Sequence, residues 1–295
     1  RDPEMSRGLG DVYKRQDKGR VYRLKCYEVP EGSRQSKGMN IANLLPIAAD
    51  EKVTSMIRVP EFDEEKYLVM VTKQGIIKRI SLNAYNTARK GGLIALELNE
   101  GDELAWVRLT DGNQQVIVAT KNGLAIRFEE TDVRPMGRQA RGVKAISLRE
   151  GDCVVGMCVV TNDDLILTAS ETGFGRISNV SDYRLQSRGG KGITNYHTEK
   201  YGNVAAVSAV KLDEDIIIIS QEGVIIRIAA DTVRICNRPS KGVTLMRIGE
   251  NDKVVTVARA PHEDSESEKT EETAEEETSE ENTAPETNAE ENTEE

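Results

Sequence analysis

The stretch Tyr67-Leu-Val-Met-Val71, a polar turn to Gly75, and Ile76-Ile-Lys-Arg-Ile80 reads as two short strands joined tip to tip. Both runs are rich in β-formers, and the glycine supplies the positive φ that a tight hairpin turn demands. Working outward, the same pattern recurs as Gln115-Val-Ile-Val-Ala119, Leu165-Ile-Leu-Thr-Ala169 and Ile216-Ile-Ile-Ile219, with turn glycines at Gly123, Gly173 and Gly223. Asp17-Lys-Gly19 starts it once more, so the turn glycines are spaced 56, 48, 50 and 50. A second run with a basic residue follows each glycine: Val21-Tyr-Arg-Leu24, Leu124-Ala-Ile-Arg-Phe128, Gly175-Arg-Ile177 and Val224-Ile-Ile-Arg-Ile228. Apolar residues return around Gly101-Asp102 and Gly151-Asp152, as in Val154-Val-Gly-Met-Cys-Val-Val160.

Each unit therefore holds about four strands, and the chain holds five units without helical periodicity between residues 17 and 261. Four strands per ~40–50 residues is the arithmetic of a propeller-like fold, in which each sheet buries its faces against its neighbours. The fold class is all-β, with blades cored by Ile, Val and Leu.

The two ends differ from this body. Residues 1–16 carry no periodicity and read as a cloning or sequencing scar, which would leave the first unit without the strand before Gly19. Residues 261–295 form an acidic tail: from His262 onward there are sixteen acidic residues and one basic residue, a net of −15. Removing these from the 40 basic and 50 acidic residues leaves 39 and 34 over residues 1–261, so the rest of the chain is mildly basic at +5. The tail has no apolar anchor and cannot offset the entropy of ordering, so it reads as disordered. Cys26, Cys153, Cys158 and Cys236 lack metal-ligand spacing and read as buried free thiols. No apolar run reaches the ~18 residues of a membrane span.

Between hairpin and Gly-Asp turn, each unit carries a basic loop ending in glycine. These boxes are Ser33-Arg-Gln-Ser-Lys-Gly38, Thr87-Ala-Arg-Lys-Gly-Gly92, Gly137-Arg-Gln-Ala-Arg-Gly142, Gln186-Ser-Arg-Gly-Gly-Lys-Gly192 and Asn237-Arg-Pro-Ser-Lys-Gly242. One such loop is a solvated turn by default, but five in register with a structural repeat need another reason. Stability asks only for the glycine and the apolar residue that follows it, not for two cations per turn. On one rim of a radial fold they form a positive band. Arginine and lysine pair with phosphates, and glycine lets backbone amides approach an anion. The candidate contacts are Arg34, Lys37, Arg89, Lys90, Arg138, Arg141, Gln186, Arg188, Gly189, Gly190, Lys191, Gly192, Arg238 and Lys241. The second box departs from the pattern, because Gly91 takes the slot of Lys37, Arg141, Lys191 and Lys241. Few aromatic residues sit in the boxes, so stacking of single-stranded bases fits less well than a bent duplex.

Gln186-Ser-Arg-Gly-Gly-Lys-Gly192 resembles the gyrase-A box, Gln-Arg-Arg-Gly-Gly-Lys-Gly, with Ser187 in place of one arginine. Gly19-Arg-Val-Tyr-Arg23, Asn43-Leu-Leu-Pro46, Arg134-Pro-Met-Gly137 and Ile166-Leu-Thr-Ala169 are also similar to gyrase A, so the resemblance covers about residues 17–260. It implies a six-bladed β-pinwheel that wraps double-stranded DNA around its outer rim, with one upstream blade and a cleavage domain missing here. It also implies a cytoplasmic, nucleoid-associated parent. That enzyme would be an ATP- and Mg2+-using type IIA DNA topoisomerase, a heterotetramer in which two copies of gyrase A assemble with gyrase B. No catalytic, cofactor or metal constellation is visible in the chain, and its only histidines are His197 and His262. Tyr196 and Tyr201, near the fourth box, suit packing or phosphate hydrogen bonding. The alternatives are the topoisomerase IV counterpart of gyrase A, whose boxes are more degenerate, and a protein-interaction scaffold with no nucleic-acid role. A tail of −15 tethered to a basic rim would compete with DNA for the same cations. Truncation after Ala260 is then expected to tighten duplex binding at low salt, with a gain that shrinks as salt screens both contacts. Equal affinities at low salt would exclude competition.

Overall fold

The computed structural model describes residues 11–16, 19–33, 35–47, 53–59, 62–86 and 92–262. Residues 1–10 and the acidic tail from Glu263 onward lie outside the described residues. The first unit contributes β1 (Asp11–Gln16), β2 (Arg20–Lys25) and β3 (Val53–Val59). The second contributes β4 (Tyr67–Thr72), β5 (Ile76–Ser81), β6 (Leu93–Ile94) and β7 (Leu104–Thr110). In the third these become β8 (Gln115–Thr120), β9 (Leu124–Glu129), β10 (Val143–Lys144) and β11 (Val154–Val160). The fourth holds β12 (Leu165–Ser170), β13 (Phe174–Asn179), β14 (Ile193–Thr194) and β15 (Val204–Val210). The fifth holds β16 (Glu214–Ser220), β17 (Ile225–Ala229), β18 (Val243–Thr244) and β19 (Val254–Pro261). The all-β pinwheel expected from the sequence is the fold observed. One α-helix, Thr198–Tyr201, interrupts it among the described residues, and none there is long and apolar enough to cross a membrane.

The sheets do not coincide with the units. Their orders are β3-β1-β2-β6, β7-β4-β5-β10, β11-β8-β9-β14, β15-β12-β13-β18 and β19-β16-β17. Each of the first four blades takes its fourth strand from the unit that follows, as a two-residue arm placed just after that unit's box. The arm of the fifth unit pairs Val243 with Gly175 and Thr244 with Phe174 of the fourth blade. The fifth blade, with no successor unit among the described residues, is left with three strands. The expectation of four strands in every blade is corrected there.

The expected defect in the first unit is also corrected. Asp11–Gln16 is extended and pairs with both β2 and β3, for example Tyr13 with Arg23 and with Ile57. A ladder is made by backbone groups, so six residues containing Val12 and Tyr13 satisfy it without a longer alternating pattern.

The core lies between blades. Leu68 and Met70 pack with Val21 and Val59 of the first blade, while Val69 and Val71 pack with Val116 and Val118 of the third. Alternate residues point to opposite faces of a strand, so a strand covered on both sides must be apolar throughout. This explains the unbroken apolar runs. On the last blade Ile216 and Ile218 face Leu167 and Ala169, whereas Ile225 on β17 is 62% exposed. The turn glycines Gly19, Gly75, Gly123, Gly173 and Gly223 all have φ between 72° and 84°, as a hairpin tip requires. Cys153, Cys158 and Cys236 are free, and of these Cys158 alone is fully buried; its thiol is pushed up to about 11 by desolvation.

Ile126, fully buried between the second and third blades, is expected to cost about 2–5 kcal/mol when cut to alanine. Ile225→Ala is expected to stay within about 0.5 kcal/mol. Urea unfolding midpoints compare them directly, and equal shifts would contradict the inter-blade core.

Candidate nucleic-acid interface

In the last three units the chain leaves the hairpin through a 3-10 turn, Glu130–Asp132, Val180–Asp182 or Ala230–Thr232. A buried residue follows (Val133, Tyr183 or Val233), and then the chain crosses onto the outer strand of the preceding blade. Parallel bridges join Pro135 to Arg79, Leu185 to Arg127 and Ile235 to Ile177. The next amides lock the crossing: Met136 N donates to Arg79 O at 2.8 Å, Gln186 N to Arg127 O at 2.9 Å and Cys236 N to Ile177 O at 2.8 Å. The box comes next, followed by the arm. The third, fourth and fifth boxes therefore lie over the outer strands of the second, third and fourth blades, in the same relation each time.

The final glycine of each of these boxes is a packing requirement. Gly142, Gly192 and Gly242 have φ of 92°, 75° and 80°. A Cβ would come within 2.6 Å of Ile77 O at Gly142 and 2.5 Å of Ala125 O at Gly192, and would collide with Gly175 O at Gly242. Gly189 N donates to Ala145 O at 2.6 Å, while Gly190 O accepts from Ser147 N at 2.8 Å. These groups are engaged by the fold, so the expectation that the box glycines hold a free amide nest for an anion is corrected for Gly189.

The cations divide into two kinds. Arg188 Nε donates to Asp132 O at 3.0 Å and its Nη1 to Lys144 O at 3.2 Å. Arg238 does the same one unit later, to Asp182 O at 2.8 Å and Thr194 O at 2.6 Å, with its guanidinium 5.0 Å from the centre of the Tyr183 ring. Burial lowers the Arg238 pKa, against the attraction of Tyr183 and Asp182. Both arginines pin their box to the carbonyls of the preceding unit. The expectation that box cations are dispensable to the fold is corrected for these two, because a guanidinium satisfies carbonyls as readily as phosphates.

Four further box cations in the described residues of units three to five are exposed. The side chains of Arg138 and Lys191 are exposed and make no hydrogen bond or ion pair among the described residues, and Lys37 is exposed as well. Arg141 is exposed and pairs with Glu97 at 2.8 Å, which raises its pKa through that hydrogen bond. Lys241 is exposed, with Nζ 3.6 Å above the Phe174 ring. Gln186 is half-buried and held by its backbone. Arg34, Arg89 and Lys90 lie outside the described residues.

Two further sets of basic residues lie on the hairpins and crossings around the boxes. Basic residues inside the second, third and fourth hairpins are buried: Lys78 Nζ donates to Ala95 O at 2.7 Å, to Arg138 O at 2.6 Å and to Ala140 O at 3.0 Å. Arg127 donates to Val180 O at 2.9 Å and Tyr183 O at 3.0 Å, and desolvation lowers its pKa. A charge in the middle of an apolar strand was the sequence signal for both. The second set is Arg134, Arg184 and Arg234, exposed at the start of each crossing. Tyr196 is buried and donates from its hydroxyl to Lys241 O at 3.1 Å, with its ring edge-on to Tyr201 at 5.8 Å, so it packs beneath the fifth box. Among the described residues no group of three His, Cys, Asp or Glu side chains could hold a metal ion.

Comparison with known proteins places these features. The family described as DNA gyrase C-terminal domain, beta-propeller, matches residues 17–60, 66–111, 114–160, 164–211 and 214–261. The DNA gyrase A protein of Clostridium acetobutylicum is 53% identical over 128 residues, which is 43% of this chain and 15% of that protein. That of Halalkalibacterium halodurans is 56% identical over 128 residues, again 43% and 15%. The matched part thus spans about 15% of the length of these relatives. Among solved structures, a C-terminal domain of DNA topoisomerase IV superposes with a TM-score of 0.81 at 26% identity, covering 92% of this chain and 84% of that one. A DNA gyrase A C-terminal domain gives 0.73 at 26% identity, covering 86% and 83%.

The division between inward and outward cations has a stability signature. Arg238→Ala removes two charge-assisted hydrogen bonds and is expected to cost about 1.5–3 kcal/mol. Lys191→Ala is expected to stay within about 0.5 kcal/mol. Matching losses in denaturant unfolding would refute the division.

Proposed function

The chain belongs to the DNA gyrase C-terminal domain family, and from that premise we propose that it binds double-stranded DNA along its box-bearing edge and bends it. The observation that carries this reading is the repetition of outward cations, Arg138, Arg141, Lys191 and Lys241, on equivalent crossings of successive blades. Smoothly bending 20–30 bp by 40–90° costs on the order of 1–6 kcal/mol, and each phosphate neutralised by a cation offsets part of that by releasing counterions. Backbone contacts carry little base information, so sequence preference is weak.

In this reading the chain has no active site of its own. It serves a cytoplasmic, nucleoid-associated parent in which two copies of gyrase A, together with gyrase B, use ATP and Mg2+ to introduce negative supercoils. A bend of fixed hand would present a distant duplex segment to the enzyme and set the direction of strand passage. The topoisomerase IV counterpart is the second reading, favoured by the larger TM-score of its C-terminal domain. The gyrase reading is favoured by gyrase A relatives at 53% and 56% identity.

Relaxing a closed circle in the presence of the chain and then removing protein reports any wrap. A linking-number change of one sign that grows with protein is the expected result; no change despite binding favours the second reading. For the contacts themselves, Lys191→Ala is expected to lower the salt slope of duplex affinity by about 0.9. An unchanged slope would remove Lys191 from the interface.

A further inference from the structure

We propose that Arg134, Arg184 and Arg234 form a second row of phosphate contacts that runs beside the boxes over the last three units. The inference rests on the DNA-binding reading above and extends it to residues outside the boxes.

The three arginines are spaced 50 and 50 and occupy one structural position. Each follows a buried residue, Val133, Tyr183 or Val233, whose amide closes the 3-10 turn onto Glu130 O, Val180 O or Ala230 O at 3.0–3.1 Å. Two residues later the chain is fastened to the preceding blade by the amides of Met136, Gln186 and Cys236. The root of each side chain is therefore fixed on both sides while its guanidinium stands in solvent. None of the three guanidinium groups has a hydrogen bond or ion pair among the described residues. That contrasts with Arg188 and Arg238, whose donors are taken by carbonyls. Packing gives no reason for an arginine at this position, and the second unit shows that the turn closes without one: Asn86 follows its buried Tyr85 there.

The position also answers a shortage in the boxes. The fourth and fifth boxes use their first arginine to pin the fold, which leaves each with a single outward cation, Lys191 or Lys241. Arg184 and Arg234 lie four residues upstream of those pinning arginines, on the same crossings. Four residues of extended chain span at most about 14 Å, so a duplex lying on the box passes within reach of the arginine as well. Arg184 is close enough to Arg238 to oppose its charge, so cations of neighbouring units converge at the junction of the fourth and fifth. Asp182 attracts Arg238 at the same junction, and a polyanion relieves the repulsion between the guanidinium groups further. Because Asn86 breaks the row, the grip on DNA is stronger over units three to five than over the second.

The test uses the whole 295-residue chain and a fluorescent linear duplex long enough to span several blades, titrated over a range of salt. R134A/R184A/R234A is compared with the charge-matched control K200A/K211A/K253A, whose lysines lie outside the crossings, and with K191A. The row predicts a salt slope lower by about 2.7 for the arginine triple, at about 0.9 per phosphate contact, and a much smaller change for the control. The unfolding midpoint of the triple should match the parent chain. Equal losses in both triples would mean that only overall charge matters and would overturn the row. An unchanged slope in the arginine triple alongside a reduced one in K191A would overturn the row while leaving the DNA-binding reading in place. Absence of salt-sensitive duplex binding by the unaltered chain would defeat that reading and the row with it.

Discussion

The structure depends on a two-residue pairing repeated from blade to blade. Val143–Lys144 completes the sheet of the second blade, Ile193–Thr194 that of the third and Val243–Thr244 that of the fourth. A pair of residues cannot hold a strand in place by itself; it stays because the chain is pinned on both sides of it. Upstream is the crossing with its bridge to the outer strand, and downstream are buried residues such as Ala145 and Ile146, whose amide and side chain enter the inter-blade core. The glycine just before the arm is what lets the chain come this close. Since each arm ties one unit to its predecessor, stability passes along the series as a chain of nearest-neighbour interfaces.

The same closeness creates a polar problem, which buried cations solve. The crossing brings carbonyls of the 3-10 turn and of the box under cover, where an unpaired acceptor costs about 1–3 kcal/mol. Lys78 answers three carbonyls from within a strand, Arg127 answers two, and Arg188 and Arg238 answer two each from the box side. None of these bonds is to a carboxylate. Carbonyl oxygens bind a cation without adding an opposing charge, so the rim stays positive while its loops are held rigid.

How much of this was legible in the sequence follows from which physical quantity each feature depends on. The hairpins were legible because a strand covered on both faces must be apolar, and Tyr67–Thr72 and Gln115–Thr120 show it residue by residue. The boxes were legible through their repetition. The exchange of arms was not: two residues carry too little pattern, and Val143–Lys144 reads equally well as the end of its own loop. Nor was the direction of each cation. Arg138 and Arg188 hold the same place in their boxes, yet one is exposed and the other turns to Asp132 O and Lys144 O. Asp11–Gln16 was set aside for lack of periodicity, although a ladder asks for extended backbone before it asks for side chains.

The engagement of Gly189 N by the fold shapes any contact with an anion. A nest of free backbone N–H groups fixes a phosphate at one point, in one orientation. Here Gly189 N is engaged by Ala145 O, and what faces outward is a set of long side chains on rigid roots: Arg138 and Lys191 in the boxes, Arg134, Arg184 and Arg234 before them. Such side chains reach over several ångströms and follow a phosphate as it shifts with local twist or groove width. A rim of this kind fixes the path of a duplex through the spacing of its blades while tolerating variation in the duplex itself. An interface of that type would accept DNA of any sequence and discriminate chiefly by the cost of bending, which is what wrapping requires and what recognition of a particular site would not.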